Sequence, residues 1–167
     1  MKKKLVIIII FFGFAKIQAQ DRITVAIGSN STFIETYNKN SWSDEFTLTE
    51  AYRLGPTNLK TLKEGVKTSL KWIDLNDTHN KTFQKEVCRF KTTEKESFKF
   101  HGYVDQFATE MVMIFNGEVD GTFKIEIKPY NSFLVFITFT DVEMLKGFKD
   151  LLDGKSANNE VDDIFKK

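Results

Sequence analysis

The chain has 167 residues, 24 basic and 23 acidic side chains, two histidines and one cysteine, Cys88. One cysteine excludes an internal disulfide, so the fold must be held by its core. The near-balanced charge shows no clustered basic face, and nucleic acid is therefore not expected as a partner.

The opening stretch has three lysines (Lys2, Lys3, Lys4), an apolar run from Leu5 to Ala15, and a small residue at Ala19. Eleven apolar residues are far short of the ~20 that cross a bilayer as a helix. The pattern predicts a secretory signal peptide over residues 1–19, cleaved after Ala19. The expected localisation is export, to the periplasm or beyond. No cysteine lies at the cut, which excludes lipid attachment by the bacterial lipoprotein route. Cleavage leaves residues 20–167 with 20 basic and 23 acidic groups, a formal charge of −3. This length suits one domain over 20–154 with a polar tail over 155–167. No transmembrane span is expected after cleavage, because no later apolar run reaches 18 residues.

"RITVAI", "TFIETY" and "EFTLTEAY" read as strands, separated by the turn signal "GSNST" and the polar loop "NKNSWSD". From Pro56, Leu59, Leu62, Val66, Leu70 and Ile73 recur at helical spacing, and proline suits a first helical turn. Gly65 in this helix either permits close packing or is a bland exposed glycine. "FQKEVCRFK" reads as a strand, with Cys88 packing as a small hydrophobe or standing as a free thiol.

Four β-type runs follow: "SFKFHGYVD", "TEMVMIF", "TFKIEIK" and "NSFLVFITFT". Asn-Gly and Asp-Gly between the middle two predict a hairpin, and short connections require antiparallel pairing. "TDVEMLKGFKDLLDG" reads as a closing helix, with Thr140 and Glu143 as a capping box and Gly154 as the stop. In the tail, Val161, Ile164 and Phe165 form a small apolar cluster expected to dock loosely. The expected fold class is α+β: an antiparallel meander of at least four strands, with a long helix and a C-terminal helix on one face. Over roughly residues 56–140 this order resembles the broad cystatin-like α+β architecture. The resemblance rests on element order and implies no activity.

Strand alternation assigns Phe98, Phe100, Val104, Met111, Met113, Phe115, Phe123, Ile125, Ile127, Phe133, Val135, Ile137 and Phe139 to the core face. Val112, Ile114, Leu134 and Phe136 fall on the opposite face, beside His101, Tyr103 and Asp105. That face should be covered, either by residues 21–54 or by a partner.

His101, Tyr103 and Asp105 are competent in proton transfer, and they are the candidate catalytic residues. They stand roughly 7 Å apart along one strand, with no oxyanion hole or nucleophile elbow in the sequence. No metal or cofactor is expected. "DLNDTH" begins like a calcium loop through Asp74, Asn76 and Asp77, without its glycine or later acid. Asn30, Asn76 and Asn80 sit in N-x-S/T triplets, which matter only in a glycosylating eukaryote. The expected function is an exported, non-catalytic binding or accessory protein. It would act through Val112, Ile114, Leu134 and Phe136 or through an apolar pocket beneath the long helix, on a protein or apolar small molecule. The alternative is a small hydrolase-like enzyme using His101, Tyr103 and Asp105.

Overall fold

A computed structural model describes residues 22–43, 45–92, 98–100, 103–105 and 109–155, with the backbone alone at 98–100 and 103–105. The expected signal peptide and the tail cluster lie outside the described residues. Three N-terminal strands, β1 (Arg22–Ile27), β2 (Thr32–Lys39) and β3 (Phe46–Leu54), form one antiparallel sheet in sequence order. Gly28 N–H donates to the Ser31 carbonyl at the first turn. The second turn carries Trp42 almost fully into solvent.

Helix α1 (Pro56–His79) starts with proline in its first turn and ends at Asn80, whose φ of 49° is left-handed. Leu62 and Val66 are inaccessible, and Leu59, Leu70 and Ile73 pack against the same cluster. The apolar stripe therefore faces inward as its spacing predicts.

The second sheet is antiparallel, in the order β4 (Phe83–Lys91), β7 (Glu110–Gly117), β8 (Phe123–Pro129), β9 (Ile137–Phe139). The expected four-stranded sheet is present, but its first strand is β4. The run containing Phe100 instead makes a separate hairpin of β5 (Phe98–Phe100) and β6 (Tyr103–Asp105), so Phe100 is not beside Phe115. Phe115 pairs with Ile125 and Ile127 pairs with Ile137. A simple register that set Phe115 beside Phe123 and Ile127 beside Phe133 would differ from these pairings by two and four residues. Such even shifts preserve the faces, and Met111, Met113, Phe115, Ile125, Ile127, Ile137 and Phe139 keep the expected face and are all fully buried.

One part of the last run departs from expectation. Only Ile137–Phe139 is strand; Phe133 is fully exposed and Leu134 largely so. Tyr130 N–H donates to the Glu110 carbonyl at 2.8 Å and Ser132 N–H to the Pro129 carbonyl at 3.1 Å. These bonds hold the chain toward β7 beyond Pro129, so residues 130–136 form a loop instead of a tight turn.

Helix α2 (Val142–Leu152) is capped by Asp141, whose Oδ1 accepts from Met144 N–H at 2.9 Å. Thr140 is therefore not the cap, and the aspartate one residue later takes that place. Leu145, Phe148 and Leu152 are buried, and Phe148 meets Phe139 at 5.2 Å between rings. Both helices cover the inner face of the second sheet, while β1 leans on α2 and β3 on α1. The first sheet thus flanks the helix layer and does not serve as the expected cover for the outer sheet face.

The centre of the core is Phe115, stacked with Phe83 (5.3 Å) and Phe123 (6.1 Å) and edge-on to Trp72 (5.8 Å). Burying one such ring contributes about 1.5–3 kcal/mol. Among the described residues no helix is long and apolar enough to cross a membrane.

Candidate functional site

Small residues bring α1 against the sheet. A Cβ on Gly65 would lie 2.5 Å from Cys88 Sγ and 3.2 Å from Met113 Sδ. One turn later, Ser69 Oγ approaches the same Met113 sulfur at 3.8 Å. Gly65 thus serves close packing, and Cys88 is part of the contact. Burial, with a smaller contribution from Glu86, pushes the Cys88 thiol up to about 11, so the residue packs rather than reacts.

Lower on α1, Asn76 is 1 % exposed and donates Nδ2–H to the Glu118 carbonyl (3.3 Å) and the Thr122 carbonyl (3.1 Å). It bolts the helix to the β7–β8 turn. Gly117 lacks a side chain where a Cβ would meet Asn76 Oδ1. Asn76 therefore belongs neither to a calcium loop nor to an accessible glycosylation triplet. The turn closes with Glu118 N–H donating to the Thr122 carbonyl and with Gly121 at φ +82°.

This anchoring shapes one side of an open cleft of about 690 Å³. The floor is Leu70 and Ile73 of α1, Phe123 of β8 and Val142 of α2, all half-buried. Leu70, Ile73 and Phe123 also touch the core, so the floor is a continuation of it. Around it stand Asp74 and Asp77 of α1, Asp120 of the turn, Asp141 of the α2 cap, and Lys146. Asp120 Oδ1 accepts from Thr122 Oγ1–H (2.6 Å) and N–H (3.0 Å), and these bonds hold its carboxyl below the usual aspartate range. Lys146 donates to Glu143 at 2.7 Å; that bond chiefly raises its pKa, with smaller contributions from Asp74 and Asp141. The volume lies inside the ordinary range for ligand clefts. Among the described residues, no three acidic, histidine or cysteine side chains come close enough together to hold a metal ion.

The sequence-derived binding residues are dispersed. Val112 is 2 % exposed, with register partners Arg89 and Lys128; Ile114 is half-buried, between Glu86 and Glu126. Leu134 is exposed in the 130–136 loop, and Phe136 packs against the core cluster. Arg89 stacks on Tyr130 at 3.7 Å while donating to both Glu86 carboxylate oxygens, from Nε at 2.7 Å and Nη2 at 2.8 Å. Glu126 and Thr138 on the same face are nearly inaccessible. Of the catalytic candidates, His101 lies outside the described residues. Tyr103 and Asp105 lie on β6, opposite Phe100 and Phe98, with their backbone alone described.

The cleft was legible in part. The apolar stripe of α1 pointed to Leu70 and Ile73. Nothing in the local pattern links Asp120 and Asp141 to Asp74, because that juxtaposition is made by sheet pairing and helix packing. Comparison with known families, curated proteins and solved structures finds no match to this chain.

Proposed function

We propose that the protein is an exported, non-catalytic binding protein that holds its ligand in the cleft between α1, the β7–β8 turn and the start of α2. The observation that carries this reading is the cleft itself: about 690 Å³, floored by apolar side chains still open to solvent. Open apolar floor is stabilised when a ligand removes it from water, at ~25 cal/mol per Å². Two walls are set by the Asn76 bonds and the Asp141 cap, so little ordering is required on binding. Export rests on the opening lysines, apolar run and Ala19.

The test is native mass spectrometry of protein recovered from an exporting bacterial host, beside a Val142→Trp variant that fills the cleft. Val142 is half-buried and outside the main core cluster, so the variant should fold. A retained small-molecule mass in the parent, absent from the variant, is expected. Equal retention by both refutes the cleft as the site. A mass for residues 20–167 supports export, and the full-length mass overturns it.

A further inference from the structure

The apolar floor and its charged surround together narrow the ligand class. Among the described residues, four aspartates line the cleft, against one ammonium that is already bonded to Glu143. The local balance among these residues is three negative charges, as large as the formal charge of −3 of the whole of residues 20–167.

The placement of Asp74 and Asp77 sharpens the point. Both lie in the last turns of α1, which ends at His79. Carboxylates at a helix C-terminus face the negative end of the macrodipole, an unfavourable position. Among the described residues neither forms an ion pair within 4 Å, and Asp74 meets a cation only at longer range, through its contribution to the raised pKa of Lys146. By contrast, Asp120 and Asp141 have structural duties: one oxygen of each closes a turn or caps a helix. A carboxylate has two oxygens and about four acceptor sites, so both retain capacity for another donor.

The carboxylates come from three separate elements and do not gather around one point as a metal site would. Several separated negative charges over an apolar floor match a ligand with separated positive charges joined by apolar linkers. Resting on the cleft reading above, we propose that the ligand is an aliphatic diamine or polyamine. Its ammonium groups would lie by the aspartates and its methylenes on Leu70, Ile73, Phe123 and Val142. Charge complementarity selects a cation, and the half-buried floor selects methylene spacers over a bare ion.

The test is a calorimetric titration of the full chain at low salt with 1,8-diaminooctane, 1,8-octanediol and a Lys-Leu-Lys-Leu-Lys peptide, each against the parent and an Asp74→Asn/Asp77→Asn variant. Amide shifts at Gly121, Thr122 and Phe123 locate the binding. The diamine should bind at the cleft, weaken with added salt, and lose tenfold or more in affinity in the variant. The variant should unfold at the same or higher urea concentration, because both acids sit unfavourably on α1. Equal binding of diamine and diol overturns the polyamine proposal while leaving the cleft as an apolar binding site. Binding of the peptide alone overturns it in favour of a basic protein partner. Absence of binding by all three overturns the polyamine proposal, and the Val142→Trp comparison decides the cleft reading separately.

Discussion

Replacing Gly65 by alanine should destabilise this protein, against the usual effect of adding a methyl group to a helix. In an isolated helix the change gains about 1 kcal/mol. Here the added Cβ would stand 2.5 Å from Cys88 Sγ, where carbon contacts prefer about 3.5–4.0 Å. Either Cys88 leaves its position or α1 lifts from β4 by about 1 Å. Overpacking of this kind costs about 1–3 kcal/mol, so the net effect is a loss of about 1 kcal/mol. Cys88→Ala removes the offending sulfur, and Cys88 Cβ at 3.5 Å is ordinary contact. Met113 Sδ at 3.2 Å is the middle of a flexible side chain and can yield. In the Cys88→Ala background, Gly65→Ala should therefore become neutral or stabilising, with a coupling of about 1–2 kcal/mol. Urea unfolding of all four proteins, followed by tryptophan fluorescence, measures the cycle. Equal stabilisation by Gly65→Ala in both backgrounds would refute the close approach of α1 to β4.

Three other outcomes are expected. Asn76→Ala removes both bonds to the β7–β8 turn and should cost about 2 kcal/mol, with faster amide exchange at Glu118 and Gly121; unchanged exchange there would contradict the bolt. Asp141→Ala should lower stability by about 1 kcal/mol and Thr140→Ala by much less, in thermal unfolding of both; the reverse ranking would restore Thr140 as the cap. Burial raises the Glu50 pKa above its ordinary 4.5. The native state therefore loses stability as pH rises from about 4.5 through the folded pKa. Glu50→Gln lacks this loss, so its urea midpoint should exceed the parent's at pH 7 and converge with it at pH 4; a constant gap would show that burial of the charge is not the cause.

Much of the fold was legible because local patterns decided it. Pro56 and the Leu59-to-Ile73 stripe fixed α1, and alternation assigned the inner face of β7 and β8. Even register shifts preserve side-chain faces, which is why alternation alone placed Met111, Met113, Phe115, Ile125, Ile127, Ile137 and Phe139 inside without knowledge of their partners. Pairing across the β5–β6 insertion is nonlocal, so the place of β4 beside β7 left no local mark. Asn116-Gly117 and Asp120-Gly121 look alike in sequence, yet only Gly121 needs positive φ. Gly117 is required by Asn76, 41 residues earlier in the chain. Phe133 misled because β-type composition cannot reveal that Tyr130 is held by β7. The cleft was the least visible feature, since its four aspartates meet only after the helices have packed.

The edge strand β9 has a consequence for handling the protein. From Asn131 to Thr140 the chain is uncharged, lacks proline and is rich in β-forming side chains, yet only Ile137–Phe139 is strand, extended by one bond from Phe136 N–H to the Ile127 carbonyl. Such a segment satisfies the requirements for a cross-β stack between chains. Residues 131–140 themselves carry no lysine or proline to discourage that pairing. Refolding at high concentration should therefore partition toward aggregates nucleated by this segment, and a lysine at Leu134, already in solvent, should act as a gatekeeper that raises soluble yield without touching the core.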